Sequence, residues 1–326
     1  MKRLTLLVSV VFVIALVSLI AIGYVEFGRI NKPKLRVATT TSLHDTGLLD
    51  FMQSYYENKY NTKLLFNAVG TGQAIALVKM GEADVLLVHA PSSEFQFMAD
   101  NFGVCRKIIA YNFFAIVGPR GDPDNIKDMQ PIDALKKIVT SGRAGKASWI
   151  SRGDNSGTYI KENSLWTKAG FDISQLRSES SWYTEAGVGM GQTLLVANEK
   201  RAYTLTDIGT YLKYKMDNAI DLTTLVSQGK DLLNVYSVIA VNPAKITGLN
   251  FDGAVAFIKF LVSDEGQGMI NNFGVSQYGQ QLFYPAVKLL KENSDPQMAE
   301  LIRQYAFFDN TECPLASRAG YEELYR

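Results

Sequence analysis

Apolar and polar positions along the chain fall into short blocks of two kinds. "KLRVATT" reads as a buried strand, and "GLLDFMQSYYENKY" comes next with helical spacing at Leu48, Leu49, Met52, Tyr55 and Tyr56. "TKLLFNAVG" predicts a second strand, "TGQAIALVKMGEA" a second helix, and "DVLLVHAP" a third strand, wholly apolar as a strand covered on both faces would be. Strand and helix alternate, which predicts an α/β fold. Two later segments resemble each other: "YNFFAIVGPRGDP" and "VYSVIAVNPAKI" each carry a tyrosine, an apolar strand and then Gly-Pro or Asn-Pro. Between them lies a second α/β-like block, with a helix near "IDALKKIVTSG", a strand, turn and helix at "ASWISRGDNSGTYIKENSLWTKAG", a loop and helix at "GVGMGQTLLVANEK", and a strand at "AYTLTD". A chain that leaves one lobe by one strand and returns by a matching one predicts two lobes on two hinge strands. "FDGAVAFIKFLVSDEGQGMINNFG" then completes the first lobe, with a local turn at "DEGQ". The tail has helical spacing in "QMAELIRQYAFF" but nothing that assigns it a role.

The N-terminus is patterned differently. Lys2 and Arg3 precede an uncharged run from Leu4 to Val25. Roughly twenty apolar residues match the thickness of a bilayer, and the basic end should stay cytoplasmic, exporting the remainder of the chain. The length favours an uncleaved anchor; Ala21 and Gly23 offer a cleavage site for the alternative, a removed signal peptide. No Cys comes after the run, which argues against a lipid anchor.

Bulk composition changes this picture little. The 326 residues are 47% hydrophobic and 20% charged, with 33 basic and 32 acidic side chains. So balanced a chain has no overall field for nucleic acid, and any anion chemistry must be local. The only histidines are His44 and His89, and the only cysteines Cys105 and Cys313, without metal-ligand spacing. A disulfide between the two cysteines is open at this point, though nothing in the spacing demands it.

Four junctions share one arrangement of strand, small polar residues, then helix: "TTTSLHDTG", "VGTGQAIAL", "SRGDNSGTYI" and "GVGMGQTLLV". Small residues let backbone approach a ligand closely, and a helix start offers free N–H groups and partial positive charge to an anion. Each junction alone reads as a helix cap, since Ser, Thr and Asp are preferred there. Four in one chain, two in each expected lobe, point to a shared anion cleft. Arg152 is the one charge within such a junction; a guanidinium suits an oxyanion, and the competing reading is an ion pair with Asp154. Asp207 reads as a cap or hinge residue, and His89 as structural, with no Ser or Cys constellation evident beside it. There is no GxxxxGK[ST], GxSxG, HExxH or CxxC, and "VGTGQA" lacks the third glycine of a dinucleotide loop. No nucleophile with an adjacent base is evident.

In order along the chain, "VATTTSLHDTGLLDFM", "AVGTGQAIAL", "ADVLLVHAP", "YNFFAIVGP", "SRGDNSGT", "GMGQTLLVANEKRAYTLTDIGTY" and "GQGMINNFG" resemble the tungstate-binding proteins of ABC-type importers. The likeness runs from about Arg36 to Tyr284. It implies the two-lobed, type II periplasmic-binding-protein fold, a tetrahedral oxyanion held between the lobes, permease subunits as partners, no cofactor, no enzyme activity and a monomer. Carried over by motif, it implies ligand contacts from among Thr40, Thr41 and Ser42, with Thr71, in the first lobe. From the second it implies Arg152, Ser156 and Thr158, and backbone from the Gly189 to Gly191 turn. The implied layout is a signal or anchor with linker over 1–29, the first lobe over 35–117 and 235–290, the second over 118–234, and a tail of unassigned role over 291–326. The lack of a lipid-anchor Cys and the longer tail depart from the family pattern. Another oxyanion such as molybdate, sulfate or phosphate is the alternative ligand. A phosphotransferase or deaminase of the same fold, or a membrane-tethered sensor, would be alternatives of another class.

Overall fold

The computed structural model describes residues 17–18, 32–227 and 229–325. The expected anchor or signal lies outside these residues. Among those described, no helix is long and apolar enough to cross a membrane.

The first half is built on a mixed sheet. Strands β1 (Lys34–Thr40), β2 (Lys63–Val69) and β3 (Val85–Val88) are parallel, with β1 in the middle. Helices α1 (Thr41–Asp45), α2 (Leu48–Lys59) and α3 (Thr71–Lys79) connect them, and α4 (Pro91–Ala99) comes after β3. Strand β3 is buried along its whole length, as its unbroken apolar run predicts.

Strand β4 (Gly103–Gly118) runs from one half into the other. Its first part pairs antiparallel with β9 (Leu233–Val241) as far as Phe113↔Leu233. From Phe114 onward it pairs instead with β7 (Thr204–Asp207) and β8 (Thr223–Val226). The second half adds α5 (Pro131–Arg143), β5 (Trp149–Ser151), α6 (Gly157–Lys168), α7 (Ile173–Ser178), β6 (Tyr183–Glu185), α8 (Met190–Glu199) and α9 (Ile208–Met216). The chain leaves β8 through a 3-10 turn at Lys230–Leu232 and re-enters the first sheet as β9. Two strands, β4 outgoing and β9 returning, therefore join the halves.

Each half has its own core. Leu35, Val37, Met52, Tyr56, Phe257 and Phe260 belong to the first, and Trp149, Trp166, Trp182, Tyr203 and Leu225 to the second. Burial of such side chains contributes about 1.5–3 kcal/mol each against the entropy of ordering the chain.

The segment read as one interrupted helix is two, α10 (Phe251–Val262) and α11 (Asp264–Asn272). Ser263 breaks it, its side chain accepting from Gly266 N–H to cap the second helix. A short α12 (Val275–Tyr278) comes next; β10 (Tyr284–Pro285) then pairs with β4, and α13 (Val287–Glu292) leads into the tail. Helix α14 (Pro296–Ala306) lays Ala299, Ile302 and Ala306 against Leu233 and Val235 of β9. Beyond it, Glu312 accepts from Lys107 Nζ at 2.5 Å, and Tyr325 Oη donates to Arg106 O. Cys105 and Cys313 are both free and buried, so this structure holds no disulfide between them.

Candidate functional site

The four small, polar junctions meet where the two halves face each other. Helix α1 begins at the end of β1, where Thr40 Oγ1 accepts from Leu43 N–H as the N-cap. Helix α6 begins after β5, and there Ser156 Oγ accepts from Tyr159 N–H. Helices α3 and α8 start from Gly70 and Gly189, which have no side chain to cap with. The cap reading holds at Thr40 and Ser156 and not at the two glycine starts, and all four helix starts face the same seam.

The contacts across the seam are specific. Arg152 Nη2 donates to Thr41 Oγ1 at 2.8 Å. Gly72 N–H reaches Asn155 O at 3.4 Å, and a Cβ on Gly70 would stand 3.0 Å from Asp154 O. A Cβ on Gly189 would stand 3.7 Å from Thr41 Oγ1. Thr210 Oγ1 donates to Ser42 O, and Lys213 Nζ to Asp45 O at 2.9 Å, which joins α9 to α1.

Arg152 is 1% exposed. Asp154 Oδ2 accepts from its Nε at 3.0 Å and its Nη2 at 2.5 Å, so the ion pair weighed against a ligand role is present. It does not use up the guanidinium. Nη1 is buried without a hydrogen-bond partner, and so are Thr71 Oγ1 and Thr158 Oγ1. Among the described residues six buried side-chain polar atoms lack a partner, and three of them are these. Leaving such a group unpaired costs about 1–3 kcal/mol, so three in one seam make it the candidate site.

The remaining expected residues have other partners. Ser42 Oγ lies 3.0 Å from His89 Nε2, and Gly191 packs under Tyr214, whose hydroxyl a Cβ would strike. Asp207 caps α9, accepting from Thr210 N–H and Oγ1, and burial raises its carboxyl to about 6.

His89 shows what sequence reading missed. It is read as lacking a Ser neighbour, yet Ser42 touches it on one side and Asn234 Oδ1 on the other at 2.9 Å. The signal is the pairing of β1 with β3, Thr39 opposite Leu87, which brings the residues just past both strands together. Ser42, His89 and Asn234 form a chain of hydrogen bonds that superficially resembles a hydrolase triad. Burial lowers the imidazole to about 4, which makes it a poor base at neutral pH.

The sequence matches the PBP superfamily domain over residues 30–265. The tungstate-binding protein TupA of Peptoclostridium acidaminophilum is 41% identical over 87% of this chain and 99% of its own length. The chain belongs to the TupA tungstate-binding family of the PBP superfamily. Two solved relatives share its architecture. The tungstate ABC transporter protein of Geobacter sulfurreducens is 44% identical, with a TM-score of 0.66 over 74% of this chain and 98% of that one. TupA of Desulfovibrio alaskensis G20 is 40% identical, with a TM-score of 0.65 over 78% of this chain and 98% of that one. Members of this family bind and carry rather than catalyse.

Proposed function

We propose that this chain is the extracytoplasmic substrate-binding protein of an ABC importer and that it captures tungstate at the seam between its halves. The observation that carries the reading is the trio of buried, unpartnered donors: Thr71 Oγ1 from the first half, and Arg152 Nη1 and Thr158 Oγ1 from the second. Donors drawn from both halves give a bound anion more contacts in the closed arrangement than in an open one. That difference is what drives closure. Thr40 and Thr41, the N–H groups at the start of α8 around Gly189 and Gly191, and the start of α6 at Ser156 complete the shell. Ser42 contributes through its backbone, since its hydroxyl is engaged by His89.

The alternative is another tetrahedral oxyanion, and the acceptors at the seam narrow it. Phosphate at neutral pH carries a proton and needs an acceptor. Asp154 Oδ2 is taken by Arg152 and its Oδ1 by Ser156 N–H, while both Asp207 oxygens accept from Thr210. With those carboxylate oxygens already engaged and Arg152 Nη1 able only to donate, a donor-rich seam suits tungstate or molybdate, and sulfate after them, better than phosphate.

The N-terminal run would hold the protein at the outer face of the membrane beside its permease, acting as a monomer. Thermal unfolding in the presence of each anion tests the reading: tungstate should raise the melting temperature by mass action, and an anion panel that leaves it unmoved would remove the transport role.

A further inference from the structure

His89 is held from the hinge side. Its Nδ1 lies 2.9 Å from Asn234 Oδ1, and Asn234 Nδ2 donates to Asn112 Oδ1 and to Tyr236 Oη. With both Asn234 N–H groups committed, its Oδ1 accepts from His89 Nδ1–H, leaving Nε2 to accept from the Ser42 hydroxyl. The ring also stacks on Tyr236, centroids 5.0 Å apart. Asn112 belongs to β4, and Asn234 and Tyr236 to β9, the two strands that join the halves. A ring pinned at both nitrogens and on one face cannot move aside cheaply.

The second half rests on that ring. Gly157, first residue of α6, lies against the imidazole so closely that a Cβ would stand 2.9 Å from Cε1, 3.0 Å from Nε2 and 3.1 Å from Nδ1. Its backbone is not left-handed, so alanine would fit there without strain. The requirement for glycine at this position is the contact itself.

We propose that His89 is a positioning residue, the seat on which the N-terminus of α6 lands when the halves close, and that the absence of a side chain at Gly157 sets how far they close. This rests on the proposed capture of an oxyanion at the seam. The seat fixes Thr158, the next residue, and the start of α6 against the start of α1, which carries Thr41 and Ser42. An added methyl at Gly157 stops the halves short in the closed state and meets nothing when they are apart.

The test is a double-mutant cycle on the full chain, with tungstate affinity measured by calorimetry and closure by the distance between one spin label on each half. Gly157→Ala should keep the fold and melting temperature, lose at least tenfold in affinity and close incompletely. In a His89→Ala background, which by itself weakens binding, Gly157→Ala should cost less than twofold further. Equal cost in both backgrounds, or no cost in the natural chain, overturns the seat while leaving oxyanion capture standing. Molybdate, sulfate and phosphate are run beside tungstate: closure on one of these instead overturns the choice of tungstate and still tests the seat. Closure of the natural chain on none of the four overturns the capture reading, and the seat with it.

Discussion

Thr41 Oγ1 accepts a hydrogen bond from Arg152 Nη2 at 2.8 Å, and this one contact ties the start of α1 to the loop after β5 across the seam. The same guanidinium is braced by Asp154 and keeps Nη1 unpartnered. The charged donor is thus oriented in advance by Asp154 of its own half, which lowers the entropic cost of presenting it to an anion.

Arg152→Ala should weaken tungstate binding far more than Arg120→Ala. Arg120 pairs with Asp221 at 3.0 Å on a side chain that is 72% exposed, and surface pairs of this kind contribute little. A charge-assisted hydrogen bond contributes about 1.5–3 kcal/mol, a loss on the order of ten- to over a hundredfold in affinity. Arg152→Lys should also lose affinity, because a lysine cannot reach Asp154, Thr41 and the ligand with one fork. Equal titration curves for the Arg152 and Arg120 variants would remove Arg152 from the ligand shell.

Thr71→Val and Thr158→Val should move stability and affinity in opposite directions. Each replaces a buried hydroxyl that has no partner with a methyl of the same shape, so the ligand-free protein should melt at the same temperature or higher. Tungstate should bind each variant on the order of tenfold more weakly, the loss expected for one hydrogen bond. A variant that melts lower and binds equally well would mean the hydroxyl serves the fold alone.

Glu162 anchors the strand that presents Arg152. Its Oε1 accepts from Trp149 Nε1, Trp166 Nε1 and Tyr183 Oη, and its Oε2 from Ser151 Oγ, the residue before Arg152. Burial pushes its carboxyl up to about 7. Glu162→Gln keeps an oxygen for the three aromatic donors and lets Ser151 turn to accept, so chemical denaturation should find it within about 1 kcal/mol of the natural protein. Glu162→Leu orphans four donors at about 1–3 kcal/mol each and should destabilise by more than about 3 kcal/mol. Equal stability of the two variants would contradict this picture.

Acid should weaken the contribution of His89 to stability. Burial lowers its imidazole from 6.5 to about 4, with Arg152 and Lys161 adding to the effect. Between those values His89 binds more protons in the unfolded chain than in the folded one, so its contribution to stability falls as pH drops from about 6.5 to about 4. The full loss is on the order of 3 kcal/mol. Glu162 and Asp207, whose carboxyls are raised, oppose it, since folding gains as they take up protons. The difference in stability between the natural protein and His89→Gln isolates the histidine: it should shrink as pH falls from about 6.5 to about 4. A difference that is constant over that range would show that His89 is not the group responsible.

The strand-to-helix junctions are legible because each is local: an apolar run ends, small polar residues come next, and helical spacing begins. Arg152 stands out on that basis, while Thr71 and Thr158 are singled out only by the family resemblance. The partner of Ser42 could not, because it depends on β1 lying beside β3, a pairing between distant segments. Asn112 and Asn234 sit in strands whose apolar pattern hides them, and only the folded hinge shows that they hold His89. The tail is opaque for the same reason. Helical spacing marks α14, but nothing local shows that it packs on β9 or that the Tyr305 ring lies 4.1 Å from Lys161 Nζ of the second half. The break expected at "DEGQ" falls instead at Ser263, whose cap starts a second helix at Asp264.

The most direct measurement is an isothermal titration of the ligand-free protein with tungstate, then with molybdate, sulfate and phosphate. The account predicts one tungstate per chain, comparable binding of molybdate, weaker binding of sulfate and little or none of phosphate, with no turnover of any. Absence of heat with tungstate, or phosphate bound as tightly as tungstate, would contradict the claim that the seam is a donor-rich site for a fully deprotonated oxyanion.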